Sequence, residues 1–442
     1  MEASATQINA RPQLWRATIA SVIGNGLEWY DFILYGFFAA IISQTFFPSS
    51  SRFLSLMLSL ATFAIGFLVR PLGGIVLGLY ADHFGRKRAL TLLILLMAGS
   101  TVAVGIIPGY ATIGLAAPLL IVLARLVQGL SVGGEFASAT AMLVEYVPPN
   151  RKMFYGSLQM VSQSVAVTIA SLAGFITTAV LPHPALMAWG WRLPFLLGIL
   201  VGPVGFYIRR RVEESPEFAM LAAHTNVVRT STPFRTVLRD HRAAVLSGIG
   251  LIVVGTGATY LWNTYLPIYV TRQLHMPMAS AMIGITICGA ISTCMIPFIG
   301  KLSDRIGPYR IYLTAVVVFG LISWPLFAYV TAHPDRARLL EAQIVANVLL
   351  AFMAAGIPGM IAGLFPTAVR STGMALAYNV AVTVFGGLAP LTVTWMIRQF
   401  DSQMMPAVYL MIAAALSLVL VGGTRRVWLR GLAPVQAVPA AE

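Results

Sequence analysis

The sequence predicts an all-α membrane protein of twelve transmembrane helices, arranged as two six-helix halves. Its composition, its count of long apolar segments and a repeat of loop landmarks across the chain predict this together. Charged residues make up 10% of the 442 positions and apolar residues 58%, with a mean hydropathy of +0.82. Soluble domains carry about 25% charged and about 45–50% apolar residues. A soluble fold of this composition would leave too much apolar surface in water, so its solvent is lipid.

A helix needs roughly 20 apolar residues to span the hydrocarbon core. Segments of that kind fall near 17–45, 53–80, 89–108, 112–146, 154–180 and 190–208, and again near 243–271, 280–300, 311–330, 340–364, 371–397 and 405–423. The first of them is read as a retained helix rather than a cleaved signal, because no small-residue cleavage site follows a short apolar stretch. The longest polar stretch runs from Arg209 to Arg242. It divides the chain into an N-terminal bundle (1–208), a linker (209–242) with room for short surface helices, and a C-terminal bundle with its tail (243–442).

The formal net charge of +14 could suggest nucleic acid, but the placement of the 29 Lys and Arg argues otherwise. Arg52, Arg272, Arg336, Arg338 and Arg398 fall in alternate loops, and Arg70, Arg125 and Arg192 fall inside or at the edge of apolar segments. The remaining 21 lie at the termini and in the other loops. This is the positive-inside asymmetry, which puts both termini and the linker in the cytoplasm. The expected partners are the lipid bilayer and a small substrate, not nucleic acid, and a monomer is expected. Cys288 and Cys294 are the two cysteines. Six residues is about 1.7 helical turns, so they point to opposite sides of one helix and form no disulfide.

The halves echo one another. Gly78, Asp82, His83, Gly85, Arg86, Lys87 and Arg88 follow the second segment, and Gly300, Asp304, Arg305, Gly307, Pro308 and Arg310 follow the eighth, with the aspartates 222 residues apart. Pro149, Arg151 and Gly156 after segment 4 are matched by Pro366, Arg370 and Gly373 after segment 10, with the arginines 219 apart. Duplicated bundles of this kind place a binding site midway between the repeats. In each loop, glycine permits a tight reversal, and the aspartate is suited to cap the start of a neighbouring helix.

Charges inside the membrane are costly and usually functional. Segment 1 carries Glu28 and Asp31, whose spacing of three puts both on one helix face. Segment 2 carries Arg70, while segment 4 carries Arg125 and Glu135, with Glu145 near its end. A carboxylate held ionised by an arginine takes up a proton more readily once that partner leaves. An ion pair that forms in one state and breaks in another is therefore a proton carrier; a static pair would only pin helices together. Neutral donors of the kind a carboxylate needs are Gln159, Ser162 and Gln163 in segment 5, Tyr260, Asn263, Thr264 and Tyr265 in segment 7, and Tyr378 and Asn379 in segment 11. Each taken alone is equally consistent with an interhelical hydrogen bond. A central cavity lined by segments 1, 4, 5, 7, 10 and 11 is expected.

The loop G-x-x-x-D-[RK]-x-G-x-[RK]-[RK] is similar to the signature loop of the major facilitator superfamily, with His83 replacing its usual basic residue and Pro308-Tyr309 departing from the basic run in the second copy. Arg70-Pro71-Leu72-Gly73-Gly74, the run from Arg125 through Gln128 and Gly129 to Glu135, and Gly190-Trp191-Arg192-Leu193-Pro194-Phe195 resemble the metabolite:proton symporter family within it. Glu213-Glu214-Ser215-Pro216-Glu217 fits the same group. The stretch from Ser157 to Ser164, with Phe385-Gly386-Gly387-Leu388-Ala389-Pro390, is similar to citrate and tricarballylate carriers. The resemblance implies the major facilitator fold and proton-coupled uptake across the bacterial inner membrane. Its substrates would be a carboxylate such as citrate or, alternatively, shikimate or a proline- or betaine-type zwitterion. It implies proton coupling by Asp31 and Arg125, with Glu28 as a second carboxyl, and gating by Asp82, Arg86, Asp304 and Arg305. Arg125 and Arg70 are the cationic candidates for an anionic substrate.

Other function classes fit poorly. All six histidines lie in predicted loops or at helix ends, with no His-x-x-x-His pair or cysteine cluster. No metal, cofactor or enzymatic nucleophile is therefore expected, and no Gly-rich Lys-Ser/Thr phosphate loop points to ATP. The duplicated halves and buried charges argue against a simple channel.

Overall fold

In a computed structural model, residues 25–198 and 233–428 are described, apart from 27, 75, 77–79, 81–85, 134, 146, 148, 367–368 and 427. Asp82, His83, Glu213, Glu214, Glu217 and most of the linker lie outside the described residues. The described chain is helical from end to end: α1 (28–46), α2 (Arg52–Gly74), α3 (Arg86–Ile106), α4 (Ala116–Val132, continued by Glu135–Glu145), α5 (Lys152–Val180) and the start of α6 (Leu193–Leu196), then α7 (Arg242–Arg272), α8 (Met278–Ile306), α9 (Pro308–Ala332), α10 (Arg336–Gly363), α11 (Arg370–Phe400) and α12 (Met405–Gly423). Among the described residues nine helices are long and apolar enough to cross a membrane, and Leu95–Ile106 of α3 is a shorter apolar stretch. Large side chains such as Phe298, Leu321, Leu119 and Val419 point outward and are well exposed, as a lipid-facing surface requires. Cys288 is buried and Cys294 exposed, on opposite sides of α8 as the spacing predicts. A short helix, Pro233–Asp240, occupies the end of the linker.

Local sequence sets the boundaries. Ser51 accepts from the backbone N–H of Leu54 at the start of α2, and Asp335 from that of Ala337 at the start of α10. Between α8 and α9 the chain reverses at Gly307, whose φ of 102° favours glycine, and Pro308 opens the next helix. In α7 and α11 a wider π-turn, Tyr260–Tyr265 and Thr383–Gly387, sits just ahead of a proline, Pro267 and Pro390. A proline ring collides with the carbonyl four residues back and offers no N–H to it. The wider turn relieves that demand, as the bond from the Leu388 N–H to the Thr383 carbonyl at 3.1 Å shows.

Close helix packing positions the charged residues. A Cβ added at Gly129 would overlap the Gly66 carbonyl, at Gly133 that of Arg70, and at Gly73 that of Leu130. Glycines four apart on α4 thus let its backbone touch that of α2, the small-residue interface of membrane helices. This brings Arg70 and Arg125 into the same small volume.

The two sets of six helices meet along several seams. α5 lies along α8, where Ser164 donates to the Gly289 carbonyl at 2.9 Å and Thr286 to the Ser171 hydroxyl at 2.9 Å. α11 meets α2 and α4: Thr383 donates to the Phe67 carbonyl at 3.0 Å, Asn379 to the Gly133 carbonyl at 2.9 Å, and the Tyr378 ring stacks on Phe136 at 3.7 Å. At the linker end of the bundle Asp304, on α8, accepts from the backbone N–H groups of Met153 and Phe154 at 2.9 and 3.0 Å. These are orphan donors in the first turn of α5, so Asp304 caps a helix of the opposite half. Beside it Gly156 packs against Pro358 and Gly359 of α10. Arg305 is exposed at the same end. Arg86 opens α3, and Asp82, the matching aspartate, is among the undescribed residues.

Two expected outcomes follow. Gly129→Ala should lower the stability of the folded protein by about 1–3 kcal/mol, read as reduced thermostability of the detergent-solubilised protein. Asp304→Ala should remove a cap worth about 1 kcal/mol and favour separation of the halves at the linker end by roughly fivefold. A single cysteine introduced at Ser292 should then react faster with a thiol reagent supplied from the linker side; an unchanged rate would deny Asp304 a closing role.

Candidate functional site

Between the two sets of helices lies a cavity of about 100 Å³. It is lined by Trp29 of α1, Phe136 of α4, Met160, Gln163, Ser164 and Val167 of α5, and Thr256, Thr259 and Asn263 of α7. Ser292 of α8, Asn347 of α10 and Tyr378 of α11 complete its polar surface. The lining matches the expected helices and adds α8, because the α5–α8 seam brings Gly289 and Ser292 to the same wall. Every polar group on it is an amide, hydroxyl or indole, and no described lining residue carries a formal charge.

Of the neutral residues expected there, Gln163, Asn263 and Tyr378 line the cavity. Gln159, Ser162, Tyr260 and Asn379 do not, and each is engaged elsewhere. Asn25 donates to the Ser162 hydroxyl at 2.9 Å, and Thr140 donates to the Gln159 side-chain oxygen at 2.7 Å. A wide arc of α5 separates Ser162 from Gln163, about 100° at one residue's rotation. Only the Gln163–Ser164 edge therefore faces the other half. Tyr260 stands in an aromatic cluster with Trp29, Phe63 and Phe67, and Asn379 is committed to Gly133. Thr264 packs on Gly36 of α1, and Tyr265 accepts from Thr394 at 3.1 Å. Trp29, Ser164, Thr256, Thr259, Ser292 and Asn347 were not singled out by the sequence. Asn347 and Gln343 are amides four apart in an apolar segment, the one pattern that would have pointed to α10.

The charged residues lie next to the cavity but not on its surface. Arg70 and Arg125 are each 1% exposed, Glu28 3% and Asp31 4%. Glu28 and Asp31, three residues apart on one helix face, engage different neighbours. A separation of three residues leaves about 60° between them around the helix, enough to aim Glu28 at α2 and Asp31 at α3 and α4. Glu28 pairs with Arg70 at 3.4 Å. Asp31 lies beside Thr101, Gln128 and Arg125. Gln128 in turn donates to Thr101 at 3.2 Å and accepts from an Arg125 Nη. Among the described residues Asp31 therefore stands near Arg125 without the direct ion pair that was expected, while the Arg125 guanidinium turns to Gln128.

Aromatic rings complete the setting of both guanidinium groups. Arg125 lies over the Tyr35 ring at 3.8 Å, and Arg70 over Phe67 at 4.2 Å. The Phe32 ring serves both, 4.5 Å from Arg70 and 5.9 Å from Arg125. Buried guanidinium groups are stabilised by such faces. Among the described residues the Arg125 Nε and second Nη, the Arg70 Nε and the Trp29 Nε1 are buried without a hydrogen-bond partner. Donor capacity is therefore left over at both arginines. No group of three or more His, Cys, Asp or Glu suited to a metal occurs among the described residues.

A family model for the Major Facilitator Superfamily matches residues 21–390. The chain is 34% identical over 409 residues to a citrate–proton symporter of Salmonella typhi, covering 92% of this chain and 93% of that protein. It is 36% identical over 392 residues to a citrate–proton symporter of Klebsiella pneumoniae, covering 88% and 87%. A proline/betaine transporter of Salmonella typhimurium is 32% identical over 431 residues, covering 92% and 82%. Among solved structures, the xylose transporter XylE from E. coli in a partially occluded inward-open conformation superposes with a TM-score of 0.73 at 16% identity, covering 92% of this chain and 97% of that one. That likeness supports the twelve-helix fold, and the sequence relatives are transporters throughout. The chain belongs to the Major Facilitator Superfamily, in the group that contains these citrate–proton symporters and proline/betaine transporters.

Proposed function

We propose that the protein is a proton-coupled symporter that imports a small carboxylate, citrate or a related di- or tricarboxylate, by alternating access across the bacterial inner membrane. The observation that carries this reading is the pair of buried carboxyl–arginine sites beside an uncharged cavity between the halves, in a chain whose relatives include citrate–proton symporters. A fixed ion pair would need no spare donors, whereas both arginines keep buried N–H groups without a partner among the described residues. Asp31 takes the proton, Arg125 alternates between Asp31 and Gln128, and Glu28 is the second carboxyl. Gln163, Asn263 and Tyr378 orient the substrate, with Arg70 and Arg125 as its charge complement. Gln159, Ser162, Tyr260 and Asn379 hold the cavity wall from behind.

The bundles 1–208 and 243–442, joined by the 209–242 linker, are the moving bodies, related by a pseudo-twofold along the membrane normal. Both termini and the linker lie in the cytoplasm, by the basic-residue asymmetry. Asp304 and Arg305, with Asp82 and Arg86 in the first copy, form the cytoplasmic gate. The protein acts as a monomer, driven by the proton gradient and not by catalysis.

A second reading has its own support. The Trp29, Phe136 and Tyr378 rings offer faces suited to a quaternary ammonium, and proline/betaine transporters are among the relatives. Uptake of labelled citrate, tricarballylate, 2-oxoglutarate, shikimate, proline and glycine betaine into proteoliposomes separates the two. Gradient-driven accumulation of citrate supports the first reading and that of glycine betaine the second; dissipation without accumulation removes proton coupling altogether.

Asn matches the size of Asp but cannot give up a proton. Asp31→Asn should therefore reduce accumulation to the external concentration while leaving exchange between equal concentrations largely intact. Wild-type accumulation by this variant would assign the proton elsewhere. Arg125→Leu should weaken citrate binding measured without any gradient, and affinity unchanged from wild type would remove Arg125 from the charge complement of the substrate.

A further inference from the structure

Arg70 and Glu28 sit at the seam between the halves. Tyr260 of α7 lies beside Arg70: its ring packs on Phe67, whose face carries the Arg70 guanidinium, and lies 5.8 Å from that of Trp29, which lines the cavity. Tyr378 of α11 lines the cavity with Gln163. It stands close enough to Glu28 and Arg70 to feel both charges. Two phenol side chains of the C-terminal half thus separate a buried guanidinium from the chamber. Arg125 is farther from the Phe32 ring, 5.9 Å against 4.5 Å for Arg70, and lies beside Asp31 and over Tyr35. For a carboxylate in the cavity, the approach to Arg70 past Tyr378 and Tyr260 is the one lined with hydroxyl donors.

We propose that Arg70 is the carboxylate receptor of the cavity and that Glu28 is its built-in competitor. With the cavity empty, the Glu28 carboxylate occupies the guanidinium. A proton taken up by Glu28 makes it a neutral acid, and a substrate carboxylate replaces it at Arg70. One proton enters and one carboxylate charge is exchanged for another, so the buried guanidinium is never left without an anion. That state would be strongly unfavourable in a low-dielectric interior. The requirement makes proton and anion arrive together, with a binding-linked proton at Glu28 that is separate from the one Asp31 carries through the transport step. Among the described residues Glu28 faces Arg70 on α2 and is near Tyr260 on α7 and Tyr378 on α11, while Asp31, three residues on in α1, is near Arg125. The inference rests on the carboxylate-carrier reading and specifies which arginine serves it.

Citrate binding to the purified full-length protein tests this, by isothermal titration in buffers of different protonation enthalpy, above the pH at which citrate itself titrates. Wild type should take up one proton per citrate. Because the complex holds the protonated acid, affinity should fall as pH rises through the Glu28 titration, by about tenfold per pH unit. Glu28→Gln should bind citrate with no linked proton, and Asp31→Asn should keep the linkage. The double variant Glu28→Gln/Arg70→Gln replaces the ion pair with neutral hydrogen-bonding amides, so it avoids a lone buried charge. It should fold and lose citrate binding. Wild-type proton uptake by Glu28→Gln, or citrate affinity within about twofold of wild type in the double variant, would overturn the proposal. A wild-type protein that binds no carboxylate would instead sink the carrier reading itself, and the pair's role with it.

Discussion

Everything near the centre of this protein depends on keeping four charged side chains inside a bundle that lipid surrounds. A buried ion loses several kcal/mol of hydration, so each must find compensation from protein. Glu28 and Arg70 find it in one another. Asp31 and Arg125 find it through Gln128 and Thr101, and three aromatic rings take up the remaining guanidinium faces. The close approach of α2 and α4 at Gly66, Gly73, Gly129 and Gly133 exists in the service of this arrangement. A larger residue at those positions would move one arginine away from its partner. Packing and chemistry are thus one constraint, expressed in glycines on one side and charges on the other.

The cavity follows from the same economy of charge. Its walls carry amides, hydroxyls and an indole, and the charges stay one layer back. A neutral lining tolerates an empty chamber between transport steps, whereas an exposed arginine would hold its anion in every conformation. Withdrawing Arg70 behind Tyr260 and Tyr378 would make its availability depend on the position of the C-terminal half. Binding and movement of the halves then share a structural cause.

Much of the fold was legible in the sequence because a bilayer imposes a strong, simple rule on hydropathy. The twelve segments, the repeated Asp82 and Asp304 loops and the opposed faces of Cys288 and Cys294 required only length and helical period. The capping role expected of the loop aspartate is seen at Asp304 on a helix of the other half. The site was less legible. Spacing placed Gln159, Ser162 and Gln163 on a common arc, but could not say which edge of that arc faces the partner bundle. Nor could it show that Arg125 turns to Gln128, or that Glu28 turns towards α2. Such facts depend on the rotation of each helix about its axis, which the packing of glycines and aromatic rings decides.

The contact made by Asp304 has a consequence for the rhythm of the machine. Among the described residues it bonds main-chain N–H groups at the half-buried start of α5, so in a cycle in which the halves part, water would take its place on those donors and on the carboxylate. Bonds are traded and none are lost, leaving a net difference of about 1 kcal/mol. A latch of that kind sets which end is shut at rest without trapping the protein there. On the proposed alternating-access cycle, thermal motion alone would open it many times over, and the cargo in the chamber would decide which openings count.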